Sequence, residues 1–337
     1  MKKRIKHFIV IGLIALFVLE ILLRVIGVNK SYSEKTSGTY IYQFDNQRSS
    51  WFHTWPPNTD FVFEHKEFRF YNKTNELGHR ELSFKNFEQD TTSIKIVCLG
   101  DSFTEGDGAP YDSSWVRFFE KNLALELDTP VFAYNAGVCG SDVLFNFQML
   151  KEKLVQAKPK MVIECLNNSD IIDIYYKGGQ ERFLSDGTTG APNAKNWEIL
   201  YKYSYIFRAF LVYFTAYDNY LIKQDPSERE LALQIIANQV NQTYELCIEN
   251  KIEYRLVVMP IPSDVQLKIK HIFESLPDSI NKEISVINLY PILFSIYDSI
   301  PVEEYSWPIN GHYNGKGYKI FGDAVFQEYM KSQELIN

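Results

Sequence analysis

Residues 94–108 read IKIVCLGDSFTEGDG, an apolar run from Ile94 to Leu99 that stops at Gly100-Asp101-Ser102. A serine between a glycine and a polar loop, at the exit of a predicted strand, is either a turn residue or a nucleophile held at the edge of a sheet. A neutral serine is a poor nucleophile and needs a base within hydrogen-bond reach. Histidine titrates near neutrality, so it can take that proton and return it to a leaving group. Other chemistries fail on spacing. A phosphate loop needs a lysine after its last glycine, and none follows here. The G-x-S-x-G elbow needs a glycine two residues after the serine, where Thr104 stands. A dinucleotide fingerprint fails in the same way.

The elements that must position Ser102 are legible as pattern. Five short apolar runs are strand-like: 94–100, 130–135, 160–166, 253–260 and 285–289. Helical patterns lie between them. One covers 142–157, with Val143, Phe147, Leu150 and Leu154 on one face. Another covers 226–250, opened by Asp225, Pro226 and Glu228 as cap, first-turn proline and capping acid. The last covers about 317–332. Strands alternating with helices imply a parallel sheet covered on both faces. Ligands in such sheets bind beyond the carboxyl ends of the strands, where Ser102 falls. Residues 51–87 hold short alternating stretches such as FVFEHKEFRF that suit a small sheet. The segment 171–225 breaks the alternation with an aromatic run and is read as an insertion. Tyr175 and Tyr176 follow the third strand closely enough to reach a site there.

GDSFTEG after a strand resembles the first conserved block of the SGNH/GDSL hydrolase superfamily, and further blocks follow in order. NAGVCGSD, 135–142, matches the loop whose glycine gives its N–H to an oxyanion hole; the matching residue is Gly140. CLNNSDIID, 165–173, matches the loop with an asparagine just before an aspartate, whose amide is another donor. The spacing here is off by one, so Asn168 is the expected donor with Asn167 close behind. WPINGHYNGKGY, 307–318, matches the block with the catalytic histidine, His312. The family's aspartate two or three residues earlier is missing; Asn310 and Ile309 stand there. NELGHRE, 75–81, resembles a segment upstream of the domain in membrane-anchored bacterial members. The resemblance covers about residues 75–332. It implies a three-layer α/β/α sandwich with a five-stranded, flavodoxin-like parallel sheet. It implies Ser102 and His312 as catalytic residues, an oxyanion hole from Ser102, Gly140 and Asn168, and Asn310 as the residue placed to orient His312. No metal and no cofactor are implied.

The N-terminus, MKKRIKHFIVIGLIALFVLEILLRVIGV, sets four basic residues before an apolar stretch from Phe8 to Val28. Glu20 and Arg24, four apart, share a helix face. The stretch is about long enough to span a bilayer at roughly 20 residues. The basic residues before it place the N-terminus in the cytoplasm and the rest outside. An uncleaved anchor is the expectation; a cleaved signal is the alternative, although no small-residue cleavage site follows. The expected organisation is an anchor at 1–28, a tether at 29–50, a small extension at 51–90 and a hydrolase-like domain at 91–335. Net charge of −7 argues against nucleic acid as a partner. The four cysteines read as buried small hydrophobes. The expected function is an exported, membrane-anchored serine esterase acting on small acyl esters through an acyl-serine intermediate, with O-acetyl groups on polysaccharide as the substrate class that resemblance and location suggest. An O-acyltransferase that passes the acyl group from the same serine to a polysaccharide stays open, and the missing acid keeps open a catalytically weakened member that binds glycan or protein.

Overall fold

The computed structural model describes residues 2–26, 54–177, 179–182, 204–214, 226–269, 274, 276 and 278–334. The expected tether and most of the insertion lie outside the described residues. At the centre is a five-stranded sheet: β3 (Ile94–Leu99), β4 (Val131–Asn135), β5 (Met161–Leu166), β6 (Glu253–Val258) and β7 (Ser285–Asn288). Its order is β4-β3-β5-β6-β7 and every neighbouring pair is parallel. This is the doubly wound topology, with the chain reversing direction of travel beside β3. Its crevice therefore opens at the carboxyl ends of β3, β4 and β5. Strand β5 is buried at every position, as a central strand covered on both faces must be.

Helices supply the two outer layers. They include α4 (Trp115–Leu127), α5 (Val143–Glu152), α6 (Ser169–Lys177), α8 (Pro226–Glu249), α10 (Tyr290–Tyr297) and α12 (Gly315–Glu334). Pro226 opens α8, where its missing N–H is no loss. Asp142 caps α5 by accepting the N–H groups of Leu144 and Phe145. One continuous core joins β3 and β5 to Trp115 and Phe119 of α4, Ile236 and Val240 of α8 and Tyr318 and Phe321 of α12. Cys98, Cys165 and Cys247 are buried in it. Burial pushes the Cys247 thiol up to about 12, which leaves it inert.

FVFEHKEFRF forms an antiparallel hairpin, β1 (Asp60–Glu64) and β2 (Arg69–Lys73). Phe63, Phe68 and Phe70 stack there, and Phe68 meets Trp307 at 5.5 Å. The hairpin thus packs on the loop that carries His312. The N-terminal helix α1 (Lys2–Ile26) contains a 23-residue stretch, Arg4–Ile26, long and apolar enough to cross a membrane, and none of its most apolar window is buried in the protein.

Candidate active site

Strand β3 ends at Leu99, and the chain turns into a one-turn helix, α3 (Ser102–Glu105). Asp101 makes that turn. Its Oδ1 accepts the Phe103 N–H at 2.9 Å, and its Oδ2 accepts from Asn167 Nδ2 at 2.9 Å and from Ser169 Oγ at 2.8 Å. One carboxylate therefore ties the exit of β3 to the exit of β5. Gly106 stops the helix at φ 87°, a left-handed conformation that favours glycine. Ser102 is left 7% exposed at the floor of a cavity of about 510 Å³.

His312 arrives from the other side, on the loop before α12. Trp307 N–H bonds to His312 O at 2.9 Å, and Ser306 bridges to Tyr313. Trp307 Nε1 donates to Gly108 O at 2.6 Å, which fastens the loop to the end of the first block. The hairpin contributes Glu67, whose carboxylate accepts the N–H of Ile309 at 3.1 Å and of Asn310 at 2.8 Å. The Phe103 ring lies against the imidazole at 4.6 Å between centroids.

These supports place His312 Nε2 2.7 Å from Ser102 Oγ. On the far side, His312 Nδ1 is 2.8 Å from Asn310 Oδ1. With a carbonyl oxygen facing Nδ1, the imidazole proton resides there, and Nε2 is left as the acceptor for the serine hydroxyl. Asn310 therefore faces the imidazole as an uncharged acceptor. A carboxylate approaches the same nitrogen from elsewhere in the sequence. Asp107 Oδ2 lies 3.7 Å from His312 Nδ1. Asp107 is buried, and its backbone N–H bonds back to Ser102 O at 2.9 Å. No local pattern marked Asp107, because it belongs to the first block and lies 205 positions before the histidine.

The loop after β4 closes over the top of α3. A Cβ on Gly137 would stand 2.2 Å from Glu105 N and 2.6 Å from Thr104 C, so this approach requires glycine. Asn135 locks the same contact, donating to Thr104 O at 2.8 Å and accepting from Gly137 N. Glu105 accepts the Cys139 N–H at 2.5 Å and Trp55 Nε1 at 2.5 Å. Burial, aided by the nearby Asp107 charge and opposed by Arg80, pushes the Glu105 carboxyl up to about 7. Gly140, the next residue along the loop, has φ 70° and lines the cavity. Among the described residues no acceptor takes the backbone N–H of Ser102 or Gly140. Both therefore remain available to a ligand.

The loop after β5 divides its asparagines. Asn167 is fully buried and committed to Asp101 and to Ser169, whose N–H and hydroxyl approach its Oδ1 at 2.8 and 2.6 Å. Asn168 is half-buried and stands outside the cavity lining, whereas Ser169 and Asp173 are part of it. Ser169 directly precedes Asp170, the position at which the resembled family has its asparagine. The Tyr175 and Tyr176 side chains lie outside the described residues. The cavity is completed by Pro262, Gln266 and Trp307.

Beneath the site, the NELGHRE segment acts as a brace. Arg80 donates to Gly106 O at 2.8 Å and Ala109 O at 2.5 Å. Glu81 accepts from Asn135 N at 2.8 Å and Arg117 at 2.9 Å. His79 is buried against Tyr134 and held neutral, pushed down to about 3 by loss of solvent. Among the described residues no group of three or more His, Cys, Asp or Glu is placed to hold a metal ion.

No protein-family model matches the chain, and no curated protein matches it. Solved structures that it is similar to include the lipase Lip_vut3 from a goat rumen metagenome, at 14% identity, 70% of this chain, 97% of that one and a TM-score of 0.46. A variant of Axe2, an acetyl-xylooligosaccharide esterase from Geobacillus stearmophilus, matches at 11% identity over 70% and 94% of the two chains, with a TM-score of 0.45. A member of the lipolytic G-D-S-L family from Veillonella parvula matches at 16% identity over 69% and 96%, with a TM-score of 0.40. At these identities and scores the likeness bears on no residue of the site. Proteins of the G-D-S-L lipolytic family thus stand among the structures that this chain is similar to.

Proposed function

We propose that this chain is an SGNH-type serine esterase that cleaves small acyl esters through an acyl-serine intermediate. The observation that carries the proposal is the alignment of Ser102 Oγ, both nitrogens of His312, and Asn310 Oδ1 at successive separations of 2.7 and 2.8 Å. In the proposed cycle Ser102 Oγ attacks the acyl carbon as Nε2 takes its proton. The carbonyl oxygen becomes an oxyanion facing the Ser102 and Gly140 N–H groups. Such donors are typically worth about 2.7–4 kcal/mol each. Asn168 is kept as a third donor on the resemblance of its loop, and Ser169 competes for the role from the cavity wall. Nε2–H then protonates the leaving alcohol, and the acyl-serine remains. Water, deprotonated at Nε2, releases the acid and restores the serine.

As the imidazolium forms, its charge faces Asp107. Opposite charges 4 Å apart interact by about 4 kcal/mol at an effective dielectric of 20, an upper bound at a partly exposed site. Asp107 thus takes the electrostatic role of the missing acid, and Asn310 its orienting role.

The alcohol side is proposed to be an uncharged, polyhydroxylated group, with O-acetylated polysaccharide first. Asp101, Asp107 and Asp173 line the cavity, and no lysine or arginine is among the lining residues described. Such a wall disfavours anionic leaving groups. Trp307 offers an apolar face, and Ser263 and Gln266 offer hydrogen bonds. Helix α1 is proposed as an uncleaved anchor that holds the domain outside the cell, on the basic residues in its first turns and the unburied apolar length that follows. The test is turnover of p-nitrophenyl acetate by the full chain in detergent. Activity that is lost in Ser102→Ala, with melting unchanged, is the expected result; activity retained by that variant overturns the assignment.

A further inference from the structure

Glu20 is the one acidic residue of α1, and a lone carboxylate in an apolar span is costly. Here it is fully engaged. Its Oε1 accepts the Tyr205 N–H at 2.8 Å and Arg24 Nε at 2.9 Å. Its Oε2 accepts the Ile206 N–H at 3.0 Å and Ser204 Oγ at 3.1 Å. The Arg24 guanidinium also lies over the Tyr205 ring, 5.0 Å from its centre. These groups open a second apolar helix, α7 (Tyr205–Phe214, YIFRAFLVYF), with Arg208 as its one charged residue. Glu20 therefore caps α7 from a different helix, satisfying backbone donors that would otherwise face the same low-dielectric surroundings.

The position of this junction is informative. Glu20 lies six residues before the outer end of the apolar stretch at Ile26, roughly 9 Å along a helix at about 1.5 Å per residue. Beyond the junction α7 exposes Phe210 and Phe214, four apart, at 53% and 79%. Their rings stack at 5.8 Å and form one apolar face. The helix that carries this exposed aromatic pair is therefore joined to α1 about two turns inside the end of its apolar stretch.

We infer that α7 is a second membrane-contacting element, seated in the bilayer beside the anchor with Phe210 and Phe214 among the acyl chains. This rests on the reading of α1 as a span. The Glu20–Arg24–Tyr205 junction then fastens the catalytic domain to the lipid at a second point, so that α1 does not act as a simple leash.

The test is electron paramagnetic resonance on the full chain in phosphatidylcholine nanodiscs. Spin labels are placed at Phe214→Cys and, separately, Phe210→Cys, in a Cys139→Ser background. Ile14→Cys in α1 and Leu125→Cys, a 73% exposed position on α4, serve as lipid and water references. The inference predicts that both α7 labels are open to oxygen and shielded from a nickel chelate, as at Ile14. Nickel accessibility at 210 and 214 equal to that at Leu125, with Ile14 still shielded, overturns the inference and leaves the anchor intact. Nickel access at Ile14 overturns the span itself and the inference with it. Dipolar broadening at 214 that survives lipid dilution would mean that a second copy of the chain covers this face, and overturns it as well.

Discussion

In the proposed mechanism two residues orient the base, His312, where one acid ordinarily does both tasks. Asn310 accepts the Nδ1–H and fixes the tautomer, while Asp107, 3.7 Å away, carries the charge. Separating the roles gives a prediction with two arms. Asp107→Asn should lower kcat on p-nitrophenyl acetate by at least about tenfold, roughly 1.4 kcal/mol in barrier, with little change in KM. Asn310→Asp alone sets two carboxylates beside one imidazole, so its gain is blunted by their repulsion. Placed in the Asp107→Asn background, Asn310→Asp should restore most of the lost rate. Failure of that restoration, in a folded double variant, would show that Asp107 acts on something other than His312.

At the scale of elements, the hairpin β1–β2 is part of the site although no catalytic residue lies in it. Glu67, in its turn, holds the N–H groups of Ile309 and Asn310. Hydrogen bonds to a charged acceptor contribute about 1.5–3 kcal/mol each. Glu67→Ala should free the Asn310 loop and reduce kcat by about tenfold, with a fall of several degrees in the melting temperature. Glu67→Gln, which keeps one acceptor oxygen, should fall between the two. Equal activity in all three would detach the hairpin from catalysis.

The sequence pattern revealed the strands because buried parallel strands are continuous apolar runs, and all five appear within one or two residues of their expected bounds. Ser102, Gly140, Asn310 and His312 were legible because each sits in a short block at a strand exit or before the final helix. Asp107 and Glu67 were not. Their partners lie 205 and 243 positions away, and no local pattern encodes such pairing. The register of the loop after β5 was ambiguous for a different reason. Two adjacent asparagines offer the same amide, and only the fold commits one of them to Asp101.

The whole molecule keeps a second buried acid away from the site. Glu164 lies in the middle strand β5, fully buried, and accepts a hydrogen bond from Tyr254 at 2.6 Å. Burial pushes its carboxyl up to about 7. A raised carboxyl binds a proton in the folded chain at pH values where the unfolded chain has already lost it. Its contribution is therefore retained below the ordinary carboxylate range and lost as pH climbs toward 7. His79 acts in the opposite sense, because it stays neutral when folded and would take up a proton when unfolded below about pH 6.5. Comparison with Glu164→Gln isolates the acid from this opposing trend. The melting temperature of the natural chain relative to that variant should fall between pH 5 and 7.5. A difference independent of pH would mean that the folded Glu164 carboxyl has already lost its proton by pH 5, as the unfolded one has.

Activation of Ser102 as a nucleophile by His312 is tested by incubating the full chain in detergent with a fluorophosphonate and locating the adduct by peptide mass spectrometry. Near-stoichiometric phosphonylation at Ser102 is the expected result, with the rate sharply reduced in His312→Ala. Labelling confined to another residue, or labelling of Ser102 at the same rate without His312, would contradict it.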